Sequence, residues 1–318
     1  MSTSLRDASS VPISLSDTAV VHQPHHHRMA TDGPAPTTIE DAPVLAFTRL
    51  TPPAQSDSAN TESSASPPPA VVFLHGAESC HLEFTRVAAF LEADYDLLLV
   101  DLPGHSRSRH IPFSFDNTIR GLARLVTNHV VAQKAHVVGL SLGGFLALEW
   151  ARRLPDQVLS VWCTGCSPFT GTRLWFMQHP RLLSGLVTLA GQLATERIFW
   201  ATLGGAQPIP GLREEVQRNQ NMATLRPAYE ELALVTNDNL AAIRGSVRVA
   251  IVAGAKMDNV DDTAAAGVVL RRQNAASGAY VVRNAIHWWS LQFPELFAEG
   301  VRAWIEGRPM PDEYEPLM

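Results

Sequence analysis

The sequence predicts an α/β fold in which a mainly parallel sheet is covered by helices on both faces. Short continuous apolar runs recur along the chain, and segments with helical spacing of apolar residues lie between them. A continuous run such as Val71–Leu74 is typical of a strand buried on both faces, as strands of parallel sheets are. Regular alternation of such strands with helices indicates crossover connections, and therefore a parallel sheet.

The predicted elements follow one another in a regular order. A β-like segment at 44–50 comes first, and six apolar runs follow it as predicted strands. Helical spacing is clearest after a capping candidate at Asn117 or Thr118, again over 143–154, and finally over 294–307. The six runs lie at 71–74, 97–100, 137–138, 158–163, 247–253 and 279–282.

Composition along the chain predicts the domain organisation. Residues 1–38 are rich in Ser, Thr, Pro and His and lack apolar periodicity, which predicts a disordered tail. A second polar stretch, 52–69, is expected to be a flexible surface loop. From 169 to 244 helical patterns occur without a clear strand, which predicts a helical cap. The remaining segments, 39–168 and 245–318, would form the core.

Bulk composition excludes several classes of protein. The chain is 46% apolar and 18% charged, which is normal for a globular protein, and its net charge of -6 gives no reason to expect nucleic-acid binding. No run of 18 apolar residues predicts a membrane span, and the N-terminus lacks the apolar region of a secretory signal. We therefore expect a cytoplasmic protein, with its oligomeric state left open.

The cysteines and the N-terminal histidines could suggest metal or redox chemistry. Cys163 and Cys166 form a CxxC pair, but no second pair and no histidine pair at metal spacing accompany it. Together with Cys80 they are too few for a disulfide scaffold, so we expect thiols at the end of a buried strand. We expect His22 and His25–His27 to be solvated. No metal and no cofactor are predicted.

The segment 139–143 carries the strongest functional signal. It has the pattern G-x-S-x-G, with Ser141 at its centre, between a predicted buried strand and a predicted helix. This strand–turn–helix setting is that of a nucleophile elbow, in which the serine is exposed on a strained turn with small neighbours. The turn also directs the backbone N–H of Leu142 and the helix N-terminus at the site.

With two further motifs, this segment resembles the α/β-hydrolase superfamily, in the branch with a helical cap. His75-Gly76-Ala77 follows a strand, as the oxyanion loop of that family does, and Asp101–Ser108 is similar to the family's D-x-P-G-x-G-x-S segment, with a serine at the usual glycine. The resemblance covers roughly residues 43–309. It implies an oxyanion hole formed by the N–H groups of Leu142 and Ala77, and Gly76 is expected to contact substrate.

The same resemblance implies a histidine base late in the chain. His287 follows the last predicted strand directly and precedes the final helix. Trp288 and Trp289 are its neighbours, and Trp288 is expected to contact substrate. The assignment of His287 as the base depends on the fold being correct.

The third member of the triad is expected to be Asp258. It follows the strand after the cap, and an acid there would fix the tautomer of the histidine. Three residues separate Gly254 from Asp258, where the family commonly has two, so Asp261 and Asp262 remain alternatives.

The sequence thus predicts a serine hydrolase that cleaves an ester, thioester or lactone of an apolar small molecule. A serine at the elbow argues against dehalogenase and epoxide-hydrolase reactions, which use aspartate there in this family. A lyase, cyclase, acyltransferase or small-molecule receptor on the same fold remains the alternative, because fold does not fix function. The cap residues expected to make the pocket apolar are Phe169, Trp175, Phe176, Leu182, Leu183, Leu186, Leu189, Phe199 and Trp200.

Overall fold

A computed structural model describes residues 39–52 and 66–317 of the chain. The predicted tail at 1–38, with its histidine cluster, lies outside the described residues. So does most of the predicted surface loop, at 53–65.

The described residues form one eight-stranded sheet. Six inner strands, β2 to β7, run parallel, and the two edge strands are antiparallel to their neighbours. The strand order is β1-β3-β2-β4-β5-β6-β7-β8. The strands are β1 (Phe47–Leu50), β2 (Ala70–Leu74), β3 (Asp96–Val100), β4 (Ala135–Leu140), β5 (Val158–Thr164), β6 (Arg248–Gly254), β7 (Gly278–Val282) and β8 (Glu315–Pro316).

Helices connect the strands, and a group of them lies between β5 and β6. The helices are α1 (Thr85–Ala88), α2 (Phe115–His129), α3 (Leu142–Arg153), α4 (Gly171–Met177), α5 (Pro180–Leu193), α6 (Glu196–Thr202), α7 (Leu212–Asn219), α8 (Met222–Leu232), α9 (Asn237–Ala241), α10 (Val260–Gln273), α11 (Trp289–Gln292) and α12 (Pro294–Glu306). We refer to α4 to α9 as the inserted helices. Short 3-10 turns occupy Ile39–Asp41, His81–Phe84, Ser106–Ser108 and Pro155–Gln157.

Alternation along β2 shows how the sheet makes a core on each face. Val72 and Leu74 belong to an apolar cluster with α2 and α3, whereas Val71 and Phe73 belong to a second cluster with α1 and α12. All four side chains are fully buried. Successive side chains of a strand point to opposite faces, so a strand covered on both faces must be apolar throughout. The predicted fold class is confirmed.

Two helix boundaries are set by local capping. Helix α2 begins at Phe115, and its N-cap is Ser114, whose Oγ accepts a hydrogen bond of 3.0 Å from the N–H of Asn117. The predicted caps, Asn117 and Thr118, were wrong because both lie inside the first turn. Helix α12 ends at Gly307, which adopts a left-handed φ of 67°.

The edges of the sheet differ from the prediction. Strand β1 begins at Phe47, whose partner is Val100, the last residue of β3, so residues 44–46 have no strand beside them. Strand β8 was not predicted, since two residues carry no periodicity. No described helix is both long and apolar enough to cross a bilayer.

Candidate active site

Ser141 lies on a sharp turn between β4 and α3. Its φ of 54° and ψ of -118° are strained for a residue with a side chain. The N–H of Ser141 donates to the carbonyl of Thr164 on β5 at 2.8 Å, which holds the turn to the sheet. A Cβ added to Gly143 would lie 1.9 Å from the carbonyl oxygen of Leu74, so only glycine allows α3 to approach β2 this closely. The structure therefore has the elbow geometry expected from the sequence.

The loop after β2 packs beside this turn. A Cβ added to Gly76 would lie 3.7 Å from the Cβ of Ser141 and 3.7 Å from Nε1 of Trp288. The carbonyl of Gly76 accepts from the N–H of Ser79 at 3.1 Å, and the carbonyl of Ala77 is hydrogen-bonded to Nε2 of His105. Gly76 thus packs against Ser141, while Ala77 lines the same cavity as Ser141.

Leu142 is the first residue of α3. The N–H groups of the first helical turn have no acceptor within the helix, so they remain available to an anion at the helix N-terminus. The side chain of Leu142 is fully buried and anchors this end of the helix in the core.

His287 follows β7, and its ring is held by an acid from the loop after β6. Nδ1 of His287 lies 2.6 Å from Oδ1 of Asp258. The other carboxylate oxygen of Asp258 accepts from the N–H of Gly254 at 2.8 Å. The side chain of Asp258 is 6% exposed, so the pair is shielded from solvent. Ser141, Asp258 and His287 line one cavity.

The two alternative acids have other partners. Asp261 is exposed in the first turn of α10. Asp262 accepts from Thr170 Oγ1 at 2.8 Å and from Nδ2 of Asn259. The structure therefore brings Asp258, and neither Asp261 nor Asp262, against the histidine.

The charges around His287 favour its protonated form. Burial lowers the pKa of His287, but the carboxylate of Asp258, with smaller effects from Glu83 and Glu78, more than compensates, so the net pKa is raised above 6.5. Glu83 is itself fully buried, and burial raises its pKa to about 7 despite hydrogen bonds from Ser79, Gly76 and Ser290.

Two cavities meet at the site. The first, of about 350 Å³, contains Ser141 and is called the serine cavity. The second, of about 370 Å³, is enclosed largely by apolar side chains of the inserted helices and is called the apolar cavity. Glu78, Met257 and Trp288 line both. The other residues lining the apolar cavity include Val187, Ala190, Ala194, Ile198, Phe199, Leu203, Leu212, Val216 and Leu291.

Comparison with known proteins identifies the family. Residues 69–205 match the profile of the α/β hydrolase fold family. An α/β-hydrolase superfamily protein of Gibberella zeae is 29% identical over 300 residues, covering 92% of this chain and 96% of the relative. A pimeloyl-[acyl-carrier protein] methyl ester esterase of Chromobacterium violaceum is 32% identical over 191 residues, covering 57% of this chain and 72% of the relative. The chain belongs to the α/β-hydrolase superfamily.

Solved structures show the same fold. A thermophilic esterase from Thermogutta terrifontis superimposes with a TM-score of 0.61 at 16% identity, covering 83% of this chain and 93% of that one. The enol-lactonase from Burkholderia xenovorans gives a TM-score of 0.60 at 15% identity, covering 82% and 96%. At these identities the likeness concerns the fold alone. The relatives in sequence support a hydrolase of the esterase type within the superfamily.

Several residues of this α/β hydrolase's site were not identified from the sequence. Glu78 directly follows the His-Gly-Ala motif, so its place in the sequence beside the predicted oxyanion loop could have indicated that it lies near the site. Gln220 and Tyr229 come from the inserted helices, where nothing local marks them. Gly165 was also missed. It has a φ of 62°, and a Cβ there would lie 2.6 Å from Cε1 of His287.

A cluster beside the site resembles a metal site but has its charges already paired. The potential ligand atoms of Cys80, His81 and Asp101 lie within 4.8 Å of one another. Oδ1 of Asp101 is 2.8 Å from Nδ1 of His81, and Oδ2 accepts from the guanidinium of Arg107. Burial raises the pKa of the Cys80 thiol to about 12, which disfavours the thiolate that a metal requires. These residues therefore do not suit a metal ion.

The CxxC pair is buried and reduced. Sγ of Cys163 lies 3.5 Å from the carbonyl oxygen of Ala250, and the side chain of Cys166 packs against Gly144. Burial raises the pKa of Cys166, so the thiol is the stable form. Both residues lie at the end of β5 or just beyond it, as expected from the sequence.

Proposed function

We propose that this chain is a serine hydrolase that cleaves an ester, thioester or lactone of an apolar small molecule through an acyl-enzyme. One observation carries the proposal. Ser141, on a strained elbow, shares a cavity with His287, whose Nδ1 is bonded to Asp258 at 2.6 Å. A nucleophile, a base and an acid that orients the base are the parts that acyl transfer requires.

In the proposed mechanism, His287 accepts the proton of Ser141 Oγ as that oxygen attacks the carbonyl carbon. Asp258 accepts the Nδ1–H hydrogen bond and so keeps Nε2 free as the base. The resulting imidazolium is stabilised by the same carboxylate that raises the pKa of His287. The imidazolium then protonates the leaving group, and a water molecule releases the acyl group by the same route in reverse.

The negative charge on the carbonyl oxygen would be stabilised by the N–H groups of Leu142 and Ala77. The first is at the N-terminus of α3, and the second is on the loop that packs beside Ser141. Donors of this kind stabilise a tetrahedral intermediate by roughly 3–4 kcal/mol each, as judged by their removal.

The inserted helices are proposed to act as the cap over the site. Segment 169–244, the predicted cap, contains α4 to α9 and contributes most of the walls of the apolar cavity. That cavity suits an extended or ring-shaped apolar group. Trp288 lines both cavities, so it would contact this group where the substrate crosses from the serine cavity to the apolar cavity. A relative named as a methyl ester esterase supports a carboxylic ester as the bond cleaved.

Labelling with a fluorophosphonate tests the proposal. The reagent should modify Ser141, and His287→Ala should abolish the label. Ser141→Ala should lower kcat on a p-nitrophenyl ester by about 10⁶-fold, since nucleophile and base act as a unit. Ser167 lines the same cavity, and Ser167→Ala is the matched control that should remain labelled.

Two results would contradict the proposal. Retention of most turnover in Ser141→Ala would remove Ser141 as the nucleophile. A folded protein that binds an ester but forms neither an acyl adduct nor a fluorophosphonate label would favour the non-hydrolytic alternative, a lyase, cyclase, acyltransferase or receptor.

A further inference from the structure

Glu78 occupies the junction between the two cavities. It directly follows Ala77 and lines both cavities together with Met257 and Trp288. A substrate whose apolar group fills the apolar cavity while its carbonyl reaches Ser141 must pass this carboxyl group. The proposed mechanism gives Glu78 no role, because Asp258 already holds the histidine.

The hydrogen bonding of Glu78 is incomplete. Its Oε2 accepts from Nε2 of Gln220, but among the described residues no donor reaches Oε1. Burial raises the pKa of Glu78, against the smaller opposing effects of Gln220 and His287. Glu78 is half-buried, and its Oε1 is not among the buried polar atoms that lack a partner, so this oxygen is open to whatever occupies the junction. A donor from a bound molecule could therefore reach it without displacing a protein hydrogen bond.

The neighbouring Glu83 shows what a purely structural glutamate looks like here. Its Oε2 accepts from the N–H of Gly76 at 3.2 Å, and its Oε1 accepts from Oγ of Ser290 at 3.2 Å. It is fully buried and lines neither cavity. Both oxygens of Glu83 are therefore satisfied by the protein, whereas one oxygen of Glu78 is not.

We propose that Glu78 selects substrates that carry a hydroxyl group between the scissile carbonyl and the apolar group. This inference rests on the proposed serine hydrolysis. A hydroxyl can donate to a carboxylate and accept from a neutral carboxyl, so it suits either protonation state of Glu78. An ammonium group would suit only the anion and would lose its hydration beside the apolar cavity.

The hydroxyl is expected a few bonds from the carbonyl. Gly76 packs against Ser141, and Glu78 follows two residues later, within about 7 Å of chain. A hydroxyl on C3 of an acyl chain is three bonds from the carbonyl carbon that Ser141 attacks, which keeps it close to the loop that carries Gly76 and Glu78. The rest of the chain would then continue past Trp288 into the apolar cavity.

The test compares p-nitrophenyl 3-hydroxyhexanoate with p-nitrophenyl hexanoate. The wild type should prefer the hydroxylated ester by about 10- to 100-fold in kcat/KM, the range for a hydrogen bond to a charged group. Glu78→Met, which keeps the length of the side chain and removes the acceptors, should bring the ratio close to one. Glu78→Gln keeps one acceptor oxygen and should retain part of the preference.

The matched control is Glu214→Met, at an exposed position of α7, and its ratio should equal that of the wild type. If Glu78 only anchored Gln220, Glu78→Met would lower kcat/KM for both esters equally, and the inference would be wrong. A wild-type ratio near one would overturn it without any variant. Loss of the fluorophosphonate label at Ser141 is the separate result that would instead overturn the proposed hydrolysis.

Discussion

The hydrogen bond between His287 and Asp258 makes the charge of the base depend on its partner. Asp258 raises the pKa of His287, and burial alone would lower it. In the proposed mechanism, His287 acts as the base only when it is neutral. Its activity is therefore expected to fall as pH falls through a pKa that lies above 6.5, and to be fully present at higher pH.

Asp258→Asn should change both the rate and the pH profile. We expect kcat to fall by about 10⁴-fold, less than for Ser141→Ala, because the nucleophile, base and oxyanion donors remain. Loss of the carboxylate should also move the acidic inflection of kcat/KM to lower pH. Kinetics of a p-nitrophenyl ester, measured between pH 5 and pH 9, would report both changes.

Asp262→Asn is the control for this experiment, since Asp262 bonds to Thr170 and Asn259 rather than to the histidine. A larger loss of rate in Asp262→Asn than in Asp258→Asn would contradict the assignment of the acid. Glu83, with a pKa of about 7, titrates in the same range. Glu83→Gln removes the titration of Glu83, and the acidic inflection of kcat/KM that we assign to His287 should persist in that variant.

At the scale of elements, the elbow depends on how closely α3 approaches β2. A Cβ at residue 143 would meet a backbone carbonyl of β2, whereas a Cβ at residue 185, inside α5, would meet nothing within 4 Å. Gly143→Ala should therefore destabilise the protein by about 3 kcal/mol, the upper end of the usual range for overpacking, because backbone atoms must move.

Gly185→Ala should have the opposite sign. It should stabilise the protein by about 0.5–1 kcal/mol, since alanine loses less conformational entropy in a helix than glycine does. Thermal unfolding of the two variants beside the wild type would compare these effects. Similar melting temperatures for Gly143→Ala and Gly185→Ala would contradict the tight approach of α3 to β2.

Elements with a strong local pattern could be predicted from the sequence, and those determined by tertiary contacts could not. Strand β2 is apolar throughout because both its faces are covered, so its sequence alone indicates it. Strand β8 has two residues and exists only through pairing with β7. The start of α2 was misplaced because Asn117, which resembles a cap, donates its backbone N–H to Ser114 instead.

The same distinction applies to the site. Ser141, His287 and Asp258 each follow a recognisable strand, so their order along the chain predicts their meeting at the carboxyl edge of the sheet. No comparable sequence pattern marks the residues at the junction of the two cavities. Gln220 meets Glu78 across 142 residues of sequence, and only the folded arrangement of the inserted helices brings them together.

At the scale of the whole molecule, the apolar cavity requires the inserted helices and the core together. Val187 and Phe199 come from the inserted helices, whereas Leu291 and Trp288 follow β7 in the core. An acyl chain bound in the apolar cavity would be removed from water over most of its length. The selectivity of the enzyme for chain length should therefore depend on this cavity as well as on the catalytic residues.

A series of p-nitrophenyl esters from acetate to octanoate tests this dependence. Burial of each methylene contributes about 0.8 kcal/mol, so kcat/KM should rise about 4-fold per methylene until the cavity is full. Ala194→Phe, which places a ring in the apolar cavity, should reduce turnover of the long esters and spare the acetate. Ala201→Phe, on an exposed position of α6, should leave the series unchanged. A flat series in the wild type, or equal losses for acetate and octanoate in Ala194→Phe, would mean that the substrate does not extend into the apolar cavity.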